Sequence, residues 1–497
     1  MRRREFIGLV GSAAAALPFE ARAQQLAQPA SAHSPAIKPA QAIADYIVNF
    51  DLRQVPSIVI ERARVAWIDT VGVMLAGSHH PPTDIICDMI KLEGSAPVAT
   101  IVGRSLRASP QLAALANGVS THAMDYDLTY YVGQSIAGLI PAILPIAETE
   151  KSSPSEILAA FIIGAEICGR MSRAAPTISR LGGWHATSTV GTFAVAAACA
   201  RLLKTPKAAI PDVMGIAASL ASGVAENFGT MTKPLHSGHA ARNGILAVLL
   251  GAKGFTSSAT ALEGRSGFFE NFARGLGWSA EPFRDLGKVY DLEQIGYKIK
   301  RYPSGGLGHT AIDAALELRT MVPLSEIASV EVAITKFASR RYTTTYPQST
   351  ESAKFSSPYL AAYTLVHGAP MVAAFTEEAL HDEAVRTFAR KVSTVIYQEH
   401  ADLLEESPAK VTLTLSDGRN DREIEILPDW RGPGAHDDGA DRGEVYRLRH
   451  DGHQARRREE DFHHVGRVGR TKLFRRVLAA APSRLAAWRN SLSLTPP

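Results

Sequence analysis

Cysteine is scarce in this sequence, which has only three among 497 residues. Cys87, Cys168 and Cys199 stand far apart in apolar stretches, without the paired spacing of zinc and iron–sulfur sites. We therefore interpret them as small buried hydrophobic residues. Their number also excludes a disulfide framework, so the stability of the protein must come from its hydrophobic core.

An excess of one charge sign is also missing. The chain has 53 basic and 49 acidic side chains, which gives a formal net charge of +4. This small excess gives no reason to expect a nucleic-acid partner, which requires a concentrated basic surface. Hydrophobic residues make up 46% and charged residues 21%, as is usual in soluble globular proteins, and the length indicates two or three domains.

The first 23 residues are typical of an export signal. Arg3 and Arg4 are followed by Phe6, a short apolar run and the small-residue sequence Ala21–Ala23. The arrangement resembles a twin-arginine signal, and a chance basic terminus is the alternative. The apolar run is too short to span a bilayer, so we expect cleavage after residue 23, a periplasmic location and no membrane contact afterwards. Residues 24–38, rich in Ala, Gln, Pro and Ser, are predicted to form a disordered spacer.

Residues 39–284 have the pattern of a helical domain. From Pro56 to Gly77 the apolar residues recur at intervals of three and four, as in a helix buried on one broad face. Ala-rich helices are expected at 189–203 and 239–252, and such small-residue helices are typical of the interior of a bundle.

The pattern changes in residues 285–428, where we predict a smaller α+β lid domain. Period-two alternation predicts strands at 329–335, 411–415 and 423–427. Helices are expected between them, near 358–366 and 382–395.

The remaining residues, 429–497, are rich in Arg and His and poor in large apolar side chains. We expect this tail to be partly disordered, with a terminal helix near 472–488 and without the spacing of a metal site.

Four polar clusters interrupt the apolar sequence and supply the candidate functional residues. They are His122–Thr129, Gly182–Thr189, Met231–Arg242 and Lys300–His309. In the first, a spacing of two would place Asp125 and Asp127 on different faces of a helix, so we expect at most one to face a given pocket. The alternative is a polar helix end with capping aspartates.

The other three clusters combine glycine with imidazole and cationic groups. Two glycines precede His185 at a helix start, where backbone N–H groups suit a carboxylate. Lys233 and Arg242 flank a predicted loop-to-helix junction, and His309 follows a Gly-rich loop. Each feature alone has an ordinary structural explanation, but together they predict a cationic, imidazole-rich pocket for an anionic substrate and a proton transfer. No phosphate-binding or dinucleotide-binding glycine motif accompanies them.

In this order, the clusters resemble the MmgE/PrpD (2-methylcitrate dehydratase-like) family. The resemblance covers about residues 40–428, and its marks are Asp69–Gly72, Ala116–Gly118, Asp125–Thr129, Gly183–Thr187, Lys233–Gly238, Leu262–Gly264, Tyr302–Pro303, His309 and Phe355–Ser356. It implies a mainly α fold, with a large all-helical domain and a smaller α+β lid domain. It also implies a homodimer whose site lies between the two domains.

The resemblance further implies a lyase without metal or organic cofactor. The expected reaction is hydro-lyase chemistry on a small hydroxy di- or tricarboxylate, through abstraction of an α-proton. By resemblance, the catalytic residues are Asp125, Thr129, His185, Lys233 and His309. Substrate contacts are expected from Lys233, Arg242, Gln134 and Tyr342.

Two departures from the family pattern keep other functions open. Leu128 replaces a carboxylate, and Gln134-Ser135 stands where the family usually has His-Pro. Glutamine forms hydrogen bonds but does not transfer a proton. Dehydration is the leading hypothesis, and the alternatives are an isomerase or epimerase, a decarboxylase of a related carboxylate, or a non-catalytic periplasmic carboxylate-binding protein.

Overall fold

The computed structural model describes residues 37–131, 133–403 and 407–416, and the backbone of three strands at 422–426, 446–450 and 453–455. The predicted signal, nearly all of the predicted spacer and most of the predicted tail lie outside the described residues. None of the helices in the described part is long and apolar enough to cross a membrane.

Helices dominate the chain up to about residue 300, and smaller elements follow. The α-helices of the described residues, α1 to α18 in chain order, are Pro39–Asn49, Ser57–Gly77, Pro81–Glu93, Pro110–His122, Leu139–Glu150, Pro154–Ala174, Thr177–Arg180, Ala186–Leu202, Ile210–Leu220, Thr232–Gly251, Phe268–Ala273, Asp291–Gln294, His309–Met321, Lys336–Ser339, Thr350–Ala353, Ser357–His367, Glu377–Leu380 and Glu383–Ala389. The strands, β1 to β8, are Ala99–Thr100, Arg107–Ala108, Ile327–Ile334, Val392–Ile396, Ala409–Leu415, Arg422–Ile426, Tyr446–His450 and His453–Ala455.

Three helices form the centre of the bundle: α4, α8 and α10. Small residues allow this close packing, because a Cβ atom on Gly118 of α4 would lie 2.6 Å from the Cα atom of Gly238 in α10. The sequence placed the start of α10 at residue 239, and this was wrong by about two turns. Pro234 lies in the first turn, where a missing N–H costs nothing, so the helix begins at Thr232 and includes Lys233.

The later part of the chain is built around a six-stranded sheet in the order β4-β3-β5-β6-β7-β8. Strands β3 and β4 are parallel, and the other neighbouring strands are antiparallel. Helices α13 and α16 cover the sheet and contribute to its apolar core, which includes Ile312, Leu318, Val330, Leu360 and Val411. The predicted mainly α class with a small α+β part is therefore confirmed.

Two details of this part differ from expectation. The predicted helix at 382–395 ends at Ala389, and Val392–Ile396 forms β4 instead. Its sequence, Val-Ser-Thr-Val-Ile, is rich in β-branched residues that favour a strand beside β3. Strands β7 and β8 lie within the predicted tail and extend the sheet.

Candidate functional site

The site begins where α4 ends. The helix stops at His122, and the chain continues as a buried loop in which Asp125 has a left-handed φ of 50°. Aspartate tolerates this region better than most residues, although at some cost in strain. Asp125 and Asp127 are both almost fully buried, with exposures of 2% and 1%. The premise that these two residues lie on a helix was wrong, because the helix ends at His122.

A chain of hydrogen bonds joins these loop carboxylates to Lys233. Asp127 Oδ1 lies 2.8 Å from His122 Nδ1, and His122 Nε2 lies 2.7 Å from Lys233 Nζ. Lys233 Nζ also donates to Asp125 Oδ1 at 3.1 Å. Because an ammonium group only donates, His122 Nε2 must accept, which places the imidazole proton on Nδ1 facing Asp127.

Asp125 collects donors from two further parts of the chain. Lys300 Nζ donates to Asp125 Oδ1 at 2.6 Å and to its carbonyl oxygen at 2.8 Å. Gln134 Nε2 donates to the same Oδ1 at 3.0 Å. Burial alone would raise the pKa of Asp125, but the ammonium groups of Lys233 and Lys300 outweigh it and hold that pKa far below its usual range.

His185 lies at the start of α8, next to this chain of contacts. Its Nδ1 is 2.9 Å from His236 Nδ1, and its Nε2 is 2.9 Å from Thr187 Oγ1. The His185 ring also lies 5.6 Å from the His122 ring and 4.8 Å from the Phe228 ring. Both ring nitrogens of His185 are therefore engaged with the protein in this conformation.

Burial keeps the imidazoles of the site neutral. It lowers the pKa of His122 and of His185, and it lowers the pKa of His236 to about 4. The pKa of His309 falls to about 3, through burial and then the nearby charges of Lys300 and Arg301. Burial also lowers the pKa of Lys233, against the opposing effect of Asp125, so its ammonium group is a stronger acid than an exposed lysine.

His309 is the first residue of α13, and its Nε2 atom is buried without a hydrogen-bond partner in the described part of the chain. Two atoms of the same region share this condition, Asp125 Oδ2 and Ser304 Oγ. Lys300 Nζ donates to the Ser304 carbonyl oxygen at 3.1 Å, which ties this loop to Asp125. Since buried polar atoms are normally paired, these three atoms offer contacts to a polar ligand.

The remaining predicted residues have different outcomes. Thr129 pairs through its backbone with Lys298, and so holds the aspartate loop beside the segment that carries Lys300. The Tyr342 hydroxyl donates to the Gly305 carbonyl, in the loop that leads to His309.

The structure does not bring Arg242 to the cluster. Nine residues after Lys233 is two and a half turns of helix, so Arg242 lies on the opposite side of α10, where its guanidinium contacts Asn243 Oδ1 at 3.3 Å.

Several residues of the site had been given no catalytic or substrate-binding role, although four of them (His122, Asp127, His236 and Lys300) lie in the predicted clusters. Lys354 Nζ donates to the Ala123 carbonyl oxygen at 2.8 Å and lies 3.9 Å from Glu351. Burial lowers the pKa of Lys354 to about 8, against the opposing charge of Glu351. The others are His122, Asp127, His236, Lys300, Phe228 and Phe355. The helical register from Thr232 would have identified His236, three residues after Lys233, but no local pattern identifies Lys354.

A metal ion has one set of candidate ligands among the described residues. One ligand atom each from His122, Asp125 and Asp127 lies within 4.8 Å of the others. The Lys233 ammonium group already bonds to His122 and Asp125, so a metal would have to displace it. The cofactor-free site stays a prediction.

A mainly helical chain with a smaller α+β part, which together enclose a lysine, histidine and aspartate cluster, defines the class of this protein. The model of the MmgE/PrpD N-terminal domain matches residues 41–281, and that of the MmgE/PrpD C-terminal domain matches residues 302–429. The chain belongs to the MmgE/PrpD family.

Among its relatives is a cis-aconitate decarboxylase of Mus musculus, 27% identical over 416 residues that cover 80% of this chain and 84% of the relative. The cis-aconitate decarboxylase of Homo sapiens is 28% identical over 399 residues, with coverages of 76% and 82%. The cis-aconitate decarboxylase-like protein oryM of Aspergillus oryzae is 25% identical over 425 residues, with coverages of 80% and 87%. These relatives support the prediction of a lyase, but not specifically that of a hydro-lyase.

Proposed function

We propose that this protein is a cofactor-independent lyase that releases CO₂ from a small unsaturated tricarboxylate of the cis-aconitate type. The names of the relatives support this substrate class. The observation that carries the reaction type is the composition of the buried cluster, which is rich in ammonium groups and whose imidazoles, with their lowered pKa values, are weak bases. Dehydration, the leading hypothesis from the sequence, becomes the second candidate.

The cluster suits a polycarboxylate because several cations converge on one loop. The ammonium groups of Lys233 and Lys300 meet at Asp125, and Lys354 reaches the backbone two residues earlier. Charge-assisted hydrogen bonds of this kind are the strong ones in protein interiors. If a substrate carboxylate accepted the hydrogen bonds of Lys233 and Lys300 in place of Asp125, both ammonium groups would still be paired with a negative charge.

Decarboxylation and dehydration make different demands on the site. Dehydration by α-proton abstraction requires a base, whereas decarboxylation requires a proton donor for the carbon that loses CO₂. The lowered pKa values of Asp125 and His309 make both weak bases, and Gln134 does not transfer protons. Lys233, by contrast, is a buried ammonium group with a lowered pKa.

The reaction follows from these groups. Lys300 and Lys354 hold the two carboxylates that stay, and the C–C bond to the third breaks with its electron pair remaining on carbon. One N–H bond of Lys233 then breaks, the proton goes to that carbon and the electron pair stays on nitrogen. The Phe228 and Phe355 rings, whose centroids lie 5.4 and 5.5 Å from Lys233 Nζ, provide an apolar surface where CO₂ forms. Water returns the proton to Lys233 when the product leaves.

The test is to incubate the purified protein with cis-aconitate in D₂O and to follow proton NMR spectra and CO₂ release. We expect CO₂ and an unsaturated dicarboxylate that carries one deuterium at the carbon that lost its carboxylate. Citrate and 2-methylcitrate serve as comparison substrates. Loss of water without CO₂ from either of these would refute the proposal in favour of dehydration, and tricarboxylate binding without turnover would favour the binding protein.

Lys233→Met tests the assigned proton donor, because methionine keeps much of the length of the side chain without the charge. We expect CO₂ release to fall by about 10²-fold or more, the usual contribution of a general acid. Lys253→Met is the matched control, since Lys253 is an exposed lysine just beyond the end of the same helix. Equal rates in the two variants would remove Lys233 from the mechanism.

One observation favours the second candidate. The unpartnered Nε2 of His309 is the imidazole nitrogen best placed to accept a proton from a ligand. If dehydration or epimerisation is the reaction, proton NMR will show exchange of a substrate C–H for deuterium, and His309→Gln will abolish that exchange.

We also propose the periplasmic location and the homodimer that the sequence suggested. The Arg3-Arg4-x-Phe6 sequence supports export. Replacement of both arginines by lysine should leave the protein in the cytoplasm in cell fractionation, and sedimentation of the mature protein should show two copies per particle.

A further inference from the structure

Two buried groups act on Lys233: His122 at the end of α4 and Asp127 in the loop that follows. His122 is 1% exposed and bonds on one side to Asp127 Oδ1 and on the other to Lys233 Nζ. Both bonds are short, at 2.8 and 2.7 Å. The imidazole therefore connects a buried carboxylate to a buried ammonium group, and this arrangement indicates a role beyond packing.

The carboxylate decides which nitrogen of the imidazole accepts. Asp127 Oδ1 accepts the Nδ1 proton, so the Nε2 lone pair points at Lys233. The opposite tautomer would direct an N–H at an ammonium group and leave Asp127 without its donor. Asp127 therefore fixes the orientation of His122, and His122 in turn fixes the position of the ammonium group.

Lys233 has three N–H donors, and two of them have acceptors among the described residues: His122 Nε2 and Asp125 Oδ1. One N–H remains without an acceptor among the described residues, and the Phe228 and Phe355 ring centroids lie 5.4 and 5.5 Å from Nζ. We propose that His122 and Asp127 are positioning residues that hold the Lys233 ammonium group so that this third N–H meets the reacting carbon. The proposal rests on the proposed function, in which Lys233 protonates that carbon.

The same pair also keeps a proton on Lys233. Burial lowers the pKa of Lys233, the Asp127 carboxylate acts against this effect, and a hydrogen-bond acceptor favours the charged form. Removal of either group therefore lowers that pKa further. Since Lys233 must be protonated to act, the basic limb of the activity profile moves to lower pH. The charged and titratable groups that face Lys233 and His122 are Asp125, Asp127, His185, His236, Lys300 and Lys354.

Two replacements of His122 separate positioning from packing. In His122→Gln the side-chain oxygen reaches the place of Nε2 and still accepts from Lys233. In His122→Asn the amide reaches only the place of Nδ1, so the contact with Asp127 is kept and that with Lys233 is lost. We expect the Gln variant to keep kcat within about fivefold and the Asn variant to lose about 10²-fold, the usual effect of a reacting group misplaced by 1 Å.

The pH profile supplies the second measurement. Asp127→Asn and His122→Asn should both move the basic limb of kcat to lower pH, whereas His122→Gln should leave it nearly in place. A purely structural role would lower the amount of folded protein, measured by circular dichroism, without moving this limb. Equal kcat values for the two His122 variants, or unmoved limbs in folded His122→Asn and Asp127→Asn proteins, would overturn the proposal.

A third measurement does not depend on activity. In ¹⁵N-labelled protein without substrate, the histidine ring signals should show His122 protonated at Nδ1 only, and Asp127→Asn should change this signal. A wild-type enzyme that releases no CO₂ but shows this tautomer would refute the proposed function alone. Protonation at Nε2 would refute the positioning role whatever the reaction.

Discussion

The crossing of α4 and α10 sets the distance between His122 and Lys233. Adding one methyl group at the crossing, in the variant Gly118→Ala, tests this. Gly118 lies one turn before His122 on α4, and a Cβ atom there would stand 2.6 Å from the Gly238 Cα atom and 2.7 Å from its nitrogen. Both neighbours are backbone atoms, so no side-chain rotation relieves the overlap. Gly118→Ala must therefore move one helix relative to the other.

The size of the movement follows from contact distances. Carbon atoms in contact normally stand about 3.5 Å apart, so the helices must separate by about 1 Å. The Lys233 Nζ to His122 Nε2 distance of 2.7 Å would then exceed the limit for a hydrogen bond. Overpacking costs about 1–3 kcal/mol and alanine returns about 1 kcal/mol of helix propensity, which leaves a net loss of up to about 2 kcal/mol. The rate of CO₂ release should fall about 10²-fold.

Gly72→Ala is the matched control, because Gly72 lies within α2 and a Cβ atom there meets nothing within 4 Å. The urea midpoint, followed by circular dichroism, should fall for Gly118→Ala and stay equal or rise for Gly72→Ala. Steady-state CO₂ release gives the effect on activity. A Gly118→Ala protein with the wild-type midpoint and rate would show that this helix crossing does not position the site.

Further predictions concern stability and reactivity. Ser153 accepts from the Glu156 N–H in a capping box, so Ser153→Ala should cost about 1 kcal/mol in urea unfolding with no change in activity. The pKa of His236 is about 4 in the fold against a usual 6.5, so the unfolded chain binds that proton first and the free energy of unfolding falls as the pH drops from 6.5 to 4. His236→Gln should make this fall shallower, and a slope unchanged by this substitution would contradict the assignment. All three cysteines are buried, so a thiol reagent should label them only after unfolding, and rapid labelling of native protein would disprove their burial.

Periodicity was sufficient to predict the bundle, because apolar spacing decides which face of a long helix is buried. The predicted helix from Pro56 to Gly77 is present as Ser57–Gly77, and the strands predicted at 411–415 and 423–427 are present as the antiparallel neighbours β5 and β6. The start of α10 was missed because Pro234 resembles a helix breaker, although the first turn tolerates proline.

The site was predicted only in part, because its geometry depends on contacts between distant segments. No glycine or proline marks the exit of the chain from α4 after His122, so the loop conformation of Asp125 and Asp127 was not foreseeable. Arg242 was included because it is near Lys233 in sequence, whereas the helix carries it to the other side. Lys300 was recognised as part of a cluster, but only the fold shows that it bonds to Asp125.

The charges of the site balance among the described residues, with a consequence for how the site takes up a ligand. Its three ammonium groups face three carboxylates, and the imidazoles between them are neutral; the charged groups are Lys233, Lys300, Lys354, Asp125, Asp127 and Glu351. A polyanion that enters this enclosure adds uncompensated negative charge, which draws protons from solvent onto the imidazoles. Binding of substrate is then linked to binding of protons. The affinity for substrate therefore increases as the pH falls, and the measured heat of binding depends on the buffer that supplies the protons.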